Sequence, residues 1–248
     1  MDFNDMLSQD EIDALLRNKE LQSLSAQSLS SEEIDAIGEI GNIVMGTAAT
    51  TLSTLINKKV LITTPKVTIT TLKELAKQYP IPFVAAEVKY TQGLEGTNIL
   101  IIQERDVKII TDLMMGGGGT NIEGEITDLH LSAIGEVMNQ MMGSACTSLS
   151  EIFSRKIDIK PPQSMVLTFQ EGKEKIELLK KNEPIIKVSF KMVVEDIINS
   201  NIMQLIPIES GKFMVDALMN GSVTDIEKEL EDLHQSSIDL SSSINEEP

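Results

Sequence analysis

The chain has 248 residues, of which 41% are hydrophobic, so it can bury a substantial core as one large domain or two small ones. Its formal net charge of −17 repels phosphate backbones and anionic lipid, which argues against binding to nucleic acid or to a membrane surface. The single cysteine, Cys146, excludes an intramolecular disulfide and is typical of a reducing compartment. No signal-peptide pattern and no apolar run of about 18 residues is present, so we expect a cytoplasmic protein without a membrane-inserted segment.

The first segment, residues 1–16, contains a short amphipathic pattern. Ser8 and Glu11 have the spacing of a capping box, which predicts a helix over about 5–16. Residues 17–29 are rich in Ser and Gln and are typical of a flexible linker. A helix of about twelve residues is marginal alone in water. It is therefore either a docking peptide for a partner's groove or a helix that folds back onto its own domain, and the pattern leaves both open.

The most informative feature is an internal repeat. Without any gap, Asp35–Pro65 aligns with Ser132–Pro162. The identical pairs include Ala36/Ala133, Ile37/Ile134, Gly38/Gly135, Glu39/Glu136, Asn42/Asn139, Gly46/Gly143, Ala48/Ala145, Leu52/Leu149, Ser53/Ser150, Lys59/Lys156 and Pro65/Pro162. So long an ungapped register indicates two copies of one structural unit.

The rest of each half repeats more loosely. Alternating strand patterns occur at Phe83–Tyr90 and Ile185–Val193, and second strands are predicted at Asn98–Gln103 and Ile202–Ile208. Short helices that end at glycine are predicted at 112–116 and 216–221. Each half, 31–117 and 128–221, therefore reads as helix-strand-strand-strand-helix.

The predicted fold is an α/β domain over 30–221, with pseudo-twofold symmetry, a mixed sheet and two long motif helices. Gly116–Gly119 joins the halves as a turn, because no Lys-Ser/Thr pair follows it as in a phosphate-binding loop. Residues 222–248 form an acidic, Ser-rich tail or linker.

The two long helices each have a polar face opposite a predicted buried stripe. The stripes are Ile34, Ile37, Val44, Ala48, Leu52 and Leu55 in the first copy, and Leu131, Ile134, Met138, Met141, Ala145 and Leu149 in the second. The polar faces carry Asp35, Glu39, Asn42 and Gly46, and Ser132, Glu136, Asn139 and Gly143. A solvated face is the ordinary explanation. Two helix-interior glycines, each costing about 1 kcal/mol relative to alanine, favour instead a face kept open for a docking partner.

The chemistry available to these faces is limited. The histidines His130 and His234 lack metal-ligand spacing, there is no cysteine cluster, and Ser132 has no base in the motif to activate it. An Asn amide can accept one hydrogen bond from water and donate another, so it can orient an attacking water. A nearby Glu can pair with a lysine of a docked partner. The pattern thus fits catalysis by positioning on a substrate that brings its own metal and electrophile.

The repeated residues resemble the motif of the CheC/FliY/CheX phosphatases. That motif is Asp or Ser, three residues, Glu, two residues, Asn, then twenty-two residues and Pro; Asp35, Glu39, Asn42 and Pro65 fit it, as do Ser132, Glu136, Asn139 and Pro162. The resemblance covers about residues 31–221. It implies a phosphatase for the aspartyl phosphate of phosphorylated CheY, in which each Asn positions the hydrolytic water and each Glu pairs with the regulator's lysine. It also implies no cofactor on this chain and Mg²⁺ in the partner's active site.

The N-terminal pattern resembles the CheY-binding peptide of switch proteins in the same family. The residues concerned are Leu7, Ser8, Gln9, Glu11, Ile12, Leu15 and Leu16. By resemblance, the partners are phosphorylated CheY and the switch proteins FliM, FliN and FliG, at the cytoplasmic face of the flagellar basal body. FliY members typically carry a FliN-like domain after such a tail, and we expect this chain to lack it, by truncation or by nature. The alternative function is a non-catalytic module that binds phosphorylated CheY within the switch complex.

Overall fold

The computed structural model describes residues 29–79, 81–169, 171, 176 and 183–219. In the first half the elements are α1 (Ser31–Ile56), β1 (Val60–Ile62), β2 (Lys66–Thr70), α2 (Leu72–Gln78), β3 (Phe83–Gln92), β4 (Thr97–Gln103) and α3 (Glu104–Met114). In the second half they are α4 (Asp128–Ile152), β5 (Asp158–Ile159), β6 (Gln163–Leu167), β7 (Ile185–Val194), β8 (Ile198–Pro207) and α5 (208–219). The predicted peptide 1–16, the linker 17–29 apart from its last residue, and the tail 222–248 lie outside the described residues.

The two long helices end in the same way, which confirms the repeat. The Ser53 hydroxyl donates to the carbonyl of Ala49 and accepts from the backbone N–H of Val60. Ser150 makes the equivalent pair of bonds in the second half. Asn57 and Ser154 follow, with φ angles of 50° and 48°, a left-handed conformation that terminates a helix. The spacing shared by the two repeats therefore encodes the turn that directs the chain from each helix into the sheet.

The sheet interlocks the two halves. Its strand order is β1-β7-β8-β4-β3-β5, with β2 also pairing with β7 and β6 with β3. Thr70 lies opposite Ile185, and Leu167 lies opposite Phe83. Because Thr70 and Leu167 are equivalent positions, each half supplies its short strands to the long strand of the other.

The strand pairing and the strand count differ from the prediction. Every pairing among the described strands is antiparallel, whereas a mixed sheet was predicted. Each half contributes four strands rather than three, because the segment after each long helix bends at a proline into two short strands. Exchange of the short strands between halves supplies antiparallel partners that local periodicity does not reveal.

The shorter helices were predicted only in part. The helix α3 begins at Glu104, eight residues before the predicted start, and α2 was not predicted at all. At the start of α3, the buried Asp106 accepts a hydrogen bond from the Ser200 hydroxyl on β8. Gly116 and Gly119 have positive φ angles in the turn that follows α3, which confirms the predicted turn.

The long helices α1 and α4 lie side by side on one face of the sheet and bury the main core. The predicted stripes are largely confirmed, although Ile34, Leu55 and Leu131 are only half-buried. The buried face of α1 is wider than predicted and includes Gly41. A Cβ added at Gly41 would lie 3.2 Å from the Phe190 ring. The other sheet face has a smaller core under α2. No helix in the described part of the chain is long and apolar enough to cross a membrane.

Candidate functional site

The first motif face lies on the N-terminal half of α1. A capping box between Ser30 and Glu33 starts this helix. Asp35 and Glu39 are exposed, and Asn42 is half-buried one turn beyond Glu39. Side chains three residues apart on a helix are neighbours, so the carboxylate and the amide form one small polar surface.

The second motif face repeats this arrangement on α4. Ser132, Glu136 and Asn139 are all exposed. One neighbour differs between the two faces. Gln140 donates a hydrogen bond of 2.7 Å to the Glu136 carboxylate, whereas the equivalent residue of α1 is the exposed Ile43. The Glu of the second face is therefore held by its own helix, and the Glu of the first is not.

The two motif glycines leave space beside these side chains. A Cβ added at Gly46 or at Gly143 would meet no atom within 4 Å. Neither glycine has a positive φ, so neither is required by the backbone. The space is open to solvent, which is the geometry expected for a surface approached by another molecule.

The helices α1 and α4 are joined by two equivalent hydrogen bonds. Thr47 bonds to Ser148 at 2.7 Å, and Thr51 donates to Ser144 at 2.8 Å. Thr47 is the repeat equivalent of Ser144, and Thr51 of Ser148, so the pseudo-twofold axis exchanges the two bonds. This pattern makes the helices antiparallel, with their crossing near residue 49.

The antiparallel crossing separates the two motif faces. Asn42 lies about seven residues before the crossing, or about 10 Å at the rise of an α-helix. Asn139 lies equally far on the other side, so about 20 Å along the helix pair separates the amides. The faces point to two independent docking positions at opposite ends of the pair.

The motif prolines lie between the two short strands of each half. Pro65 and Pro162 are half-buried. Two residues after each proline, the chain passes beside a glycine of the motif helix. A Cβ added at Gly38 would lie 3.6 Å from Val67, and one added at Gly135 would lie 3.9 Å from Ser164. The prolines thus direct the chain past the base of each motif face.

Other predicted features are not brought to these faces. The peptide residues Leu7, Ser8, Gln9, Glu11, Ile12, Leu15 and Leu16 lie outside the described residues. His130 accepts from the backbone N–H of Thr127 at the start of α4, a capping role. Within the described ranges, no group of three or more His, Cys, Asp or Glu side chains could hold a metal ion.

Comparison with known proteins finds relatives of both the motif segments and the fold. A model of the CheC-like family matches residues 32–69 and 129–166, the two motif segments. The crystal structure of Thermotoga maritima FliY matches with a TM-score of 0.72 and 40% identity, over 78% of this chain and 98% of that one. The chain belongs to the CheC-like family.

Two further relatives define the range of the similarity. This CheC-like chain is 46% identical over 230 residues to the flagellar motor switch phosphatase FliY of Bacillus subtilis. The match covers 91% of the chain but only 61% of the B. subtilis protein. The middle domain of H. pylori FliM shares the fold at 16% identity, with a TM-score of 0.60 over 76% of this chain and 99% of that one.

Sequence reasoning missed the residues that distinguish the two CheC-like motif faces. Ile43 and Gln140 occupy equivalent positions beside the motif Asn, and their difference was visible in the ungapped repeat. Comparing the copies where they differ, as well as where they agree, would have found them. The Thr–Ser bonds between helices gave no such signal, because the sequence does not say which helices cross.

Proposed function

We propose that this chain is a phosphatase that hydrolyses the aspartyl phosphate of phosphorylated CheY in bacterial chemotaxis, as a flagellar motor switch protein. The name of the B. subtilis relative, a flagellar motor switch phosphatase, supports the reaction class. The observation that carries the proposal is the open presentation of Glu and Asn on both motif helices, beside glycines with empty space above them.

In the proposed mechanism, Asn42 and Asn139 each enter the partner's acid pocket and orient the hydrolytic water. The amide oxygen accepts a hydrogen bond from the water while the amide N–H₂ donates one to the pocket, so the water oxygen is directed at the phosphorus. Transfer of a phosphoryl group needs little covalent chemistry from the protein, so such positioning is sufficient to accelerate it.

Glu39 and Glu136 have the second role, pairing with the partner's active-site lysine. A carboxylate that captures this lysine fixes the orientation of the docked regulator and so the position of the Asn one turn further along. The residues Asp35 and Ser132 border the contact. The Mg²⁺ that neutralises charge on the phosphoryl group belongs to the partner's active site and not to this chain.

The test is phosphate release from phosphorylated CheY with the full chain and with Asn42→Ala/Asn139→Ala. The double variant should return release to the regulator's own rate while circular dichroism remains that of the wild type. Lys73→Gln/Lys77→Gln is the control, because these exposed residues lie on α2, which packs on the sheet face opposite the motif helices. Undiminished release from the Asn double variant would contradict the proposal.

A non-catalytic module that binds phosphorylated CheY is the second candidate, favoured by the amphipathic pattern of Leu7–Leu16. It predicts that the full chain leaves the phosphate lifetime unchanged and that deletion of residues 1–16 abolishes binding. If deletion weakens binding while the isolated remainder still accelerates release at high concentration, the peptide recruits the regulator and the motif faces carry the reaction.

We also propose that the chain works at the cytoplasmic face of the flagellar basal body, with FliM, FliN and FliG as assembly partners. The name of the B. subtilis relative supports this location. Co-purification of each switch protein with the chain, in both phosphorylated and unphosphorylated CheY backgrounds, tests the assembly separately from the reaction.

A further inference from the structure

A cavity of about 440 Å³ lies on the sheet face opposite the long helices. Lys187, Ser189 and Lys191 of β7 point into it, while the alternate residues Val188 and Phe190 are buried in the core under α1 and α4. The cavity is therefore separated from both motif faces by the thickness of the sheet. Its volume is within the range of small-molecule sites, roughly 300–1,000 Å³.

The floor and one wall of the cavity are apolar. Ile101 and Met203 are buried in the floor. Phe83, Phe169 and Tyr79 form a run of contacting rings, with centroids 4.4 Å and 6.1 Å apart. Such a wall accepts a flat or aliphatic body of a ligand without losing much side-chain entropy.

Three lysines surround the open side of the cavity. Lys66 lies opposite Ser189 in the β2–β7 pairing. Lys187 and Lys191 lie two residues before and after Ser189 on β7, about 7 Å from it along the strand, so Lys66 lies between them. Lys187 donates to the Gln78 side chain at 3.4 Å and lies 5.8 Å from the Tyr79 ring centroid. In the described part of the chain, none of the three lysines makes an ion pair and no acidic side chain lines the cavity.

This cluster of positive charge contrasts with the net negative charge of the whole chain. There are 38 acidic residues against 21 basic ones, so a surface cluster of three cations without an anion is not what composition alone would give. Three ammonium groups without an anionic partner among the described residues repel one another, and a bound anion would relieve that repulsion. Charge and apolar lining together select a ligand that has both an anionic group and an apolar body.

The repeat supplies an internal control for this feature. In the other half, Gln163 corresponds to Lys66, Glu87 corresponds to Ser189, and Lys89 corresponds to Lys191. There Lys89 pairs with Glu87 at 3.2 Å, so the charge is neutralised. The lysine cluster is thus a property of one half and does not follow from the shared fold.

We propose that this cavity is a binding site for a small organic anion, a carboxylate, sulfonate or phosphate attached to an aromatic or aliphatic body. The apolar body lies on the ring wall and the floor, and the anionic group accepts from the lysines and the Ser189 hydroxyl. The proposal is independent of the phosphatase reaction, because the motif helices pack on the other face of the sheet.

The probe is anilinonaphthalene sulfonate, whose fluorescence rises on transfer to an apolar site, and its uncharged analogue phenylnaphthylamine. The full chain should bind one sulfonate dye more tightly than the uncharged dye, with an affinity that falls as salt is added. Lys66→Gln/Lys187→Gln/Lys191→Gln should weaken the sulfonate dye by about tenfold and leave the uncharged dye unchanged. Lys89→Gln, in the equivalent position of the other half, should change neither.

A second variant locates the bound dye. Ser189→Trp fills the cavity between the lysines and should abolish binding of both dyes, with circular dichroism checking the fold. Equal affinity for the two dyes, an unaffected triple variant, or full binding to Ser189→Trp would overturn the proposal. Displacement of the dye by poly-glutamate as readily as by naphthalene sulfonate would also overturn it, since the occupant would then be an acidic protein segment.

Discussion

Replacement of Gly46 and Gly143 should make the protein more stable and less active. Both glycines lie inside α-helices, and a Cβ added at either would meet nothing within 4 Å. Each Gly→Ala change removes the backbone entropy penalty of glycine and should stabilise the fold by about 1 kcal/mol. The double alanine variant should therefore melt about 4–8 °C higher, at about 2–4 °C per kcal/mol for a domain of this size.

Activity should separate from stability when the new side chain is large. Gly46→Leu/Gly143→Leu keeps most of the gain in helix propensity but places a branched side chain beside each motif Asn. Forcing such a side chain into a close contact costs about 1–3 kcal/mol, which corresponds to a loss of docking affinity of about 5-fold to 150-fold. Phosphate release at subsaturating phosphorylated CheY measures this loss, and differential scanning calorimetry measures the stability.

Gly41 provides the control on the same helix. A Cβ added there would lie 3.2 Å from the Phe190 ring, so Gly41→Ala should raise the melting temperature less than Gly46→Ala does, while phosphate release per folded molecule is retained. Wild-type release from the double leucine variant, with a raised melting temperature, would refute the docking role of the two faces. A lowered melting temperature in the double alanine variant would refute the structural reasoning instead.

Two further predictions concern the second motif face and the pH dependence of stability. In an Asn42→Ala variant, in which only the second face is active, Gln140→Ile removes the hydrogen bond to Glu136. Phosphate release should then rise by about threefold. An unchanged rate would show that this bond does not limit docking. Burial raises the pKa of Asp106 above its ordinary value, so the native state holds a proton that the unfolded chain has released. The free energy of unfolding should therefore fall as the pH rises from about 4 through the raised pKa. Asp106→Asn, which can still accept from Ser200, should flatten this dependence in urea titrations and stabilise the protein at neutral pH, and a steeper dependence would contradict the assignment.

The sequence predicted the parts of the fold that depend on local spacing. The ungapped repeat implied equivalent helix ends, and the bonds of Ser53 and Ser150 have that equivalence. Helical periodicity predicted exposed motif faces, and Glu39 and Glu136 are exposed. These features follow from residues within a few turns of one another, which is the range over which periodicity carries information.

Features that depend on distant pairing could not be predicted in this way. The exchange of short strands between halves, and with it the antiparallel sheet, is set by which strands meet in space. The lysine cavity has the same origin, because Lys66 comes beside Lys187 only through the β2–β7 pairing. Gly41 was missed as a core position because a residue without a side chain contributes nothing to a hydrophobic pattern, although the Phe190 ring packs against its backbone.

The exchange of strands also determines when this domain can fold during its synthesis. The partner of β2 is β7, on the order of 100 residues later in the chain, so β2 stays unpaired until loop closure over that length. At a translation rate of about 5–20 residues per second, the first repeat waits several seconds on the ribosome with its apolar helix face uncovered. The nascent chain is therefore most exposed to aggregation and to chaperones in this interval, and the complete sheet forms only after β7 has been synthesised.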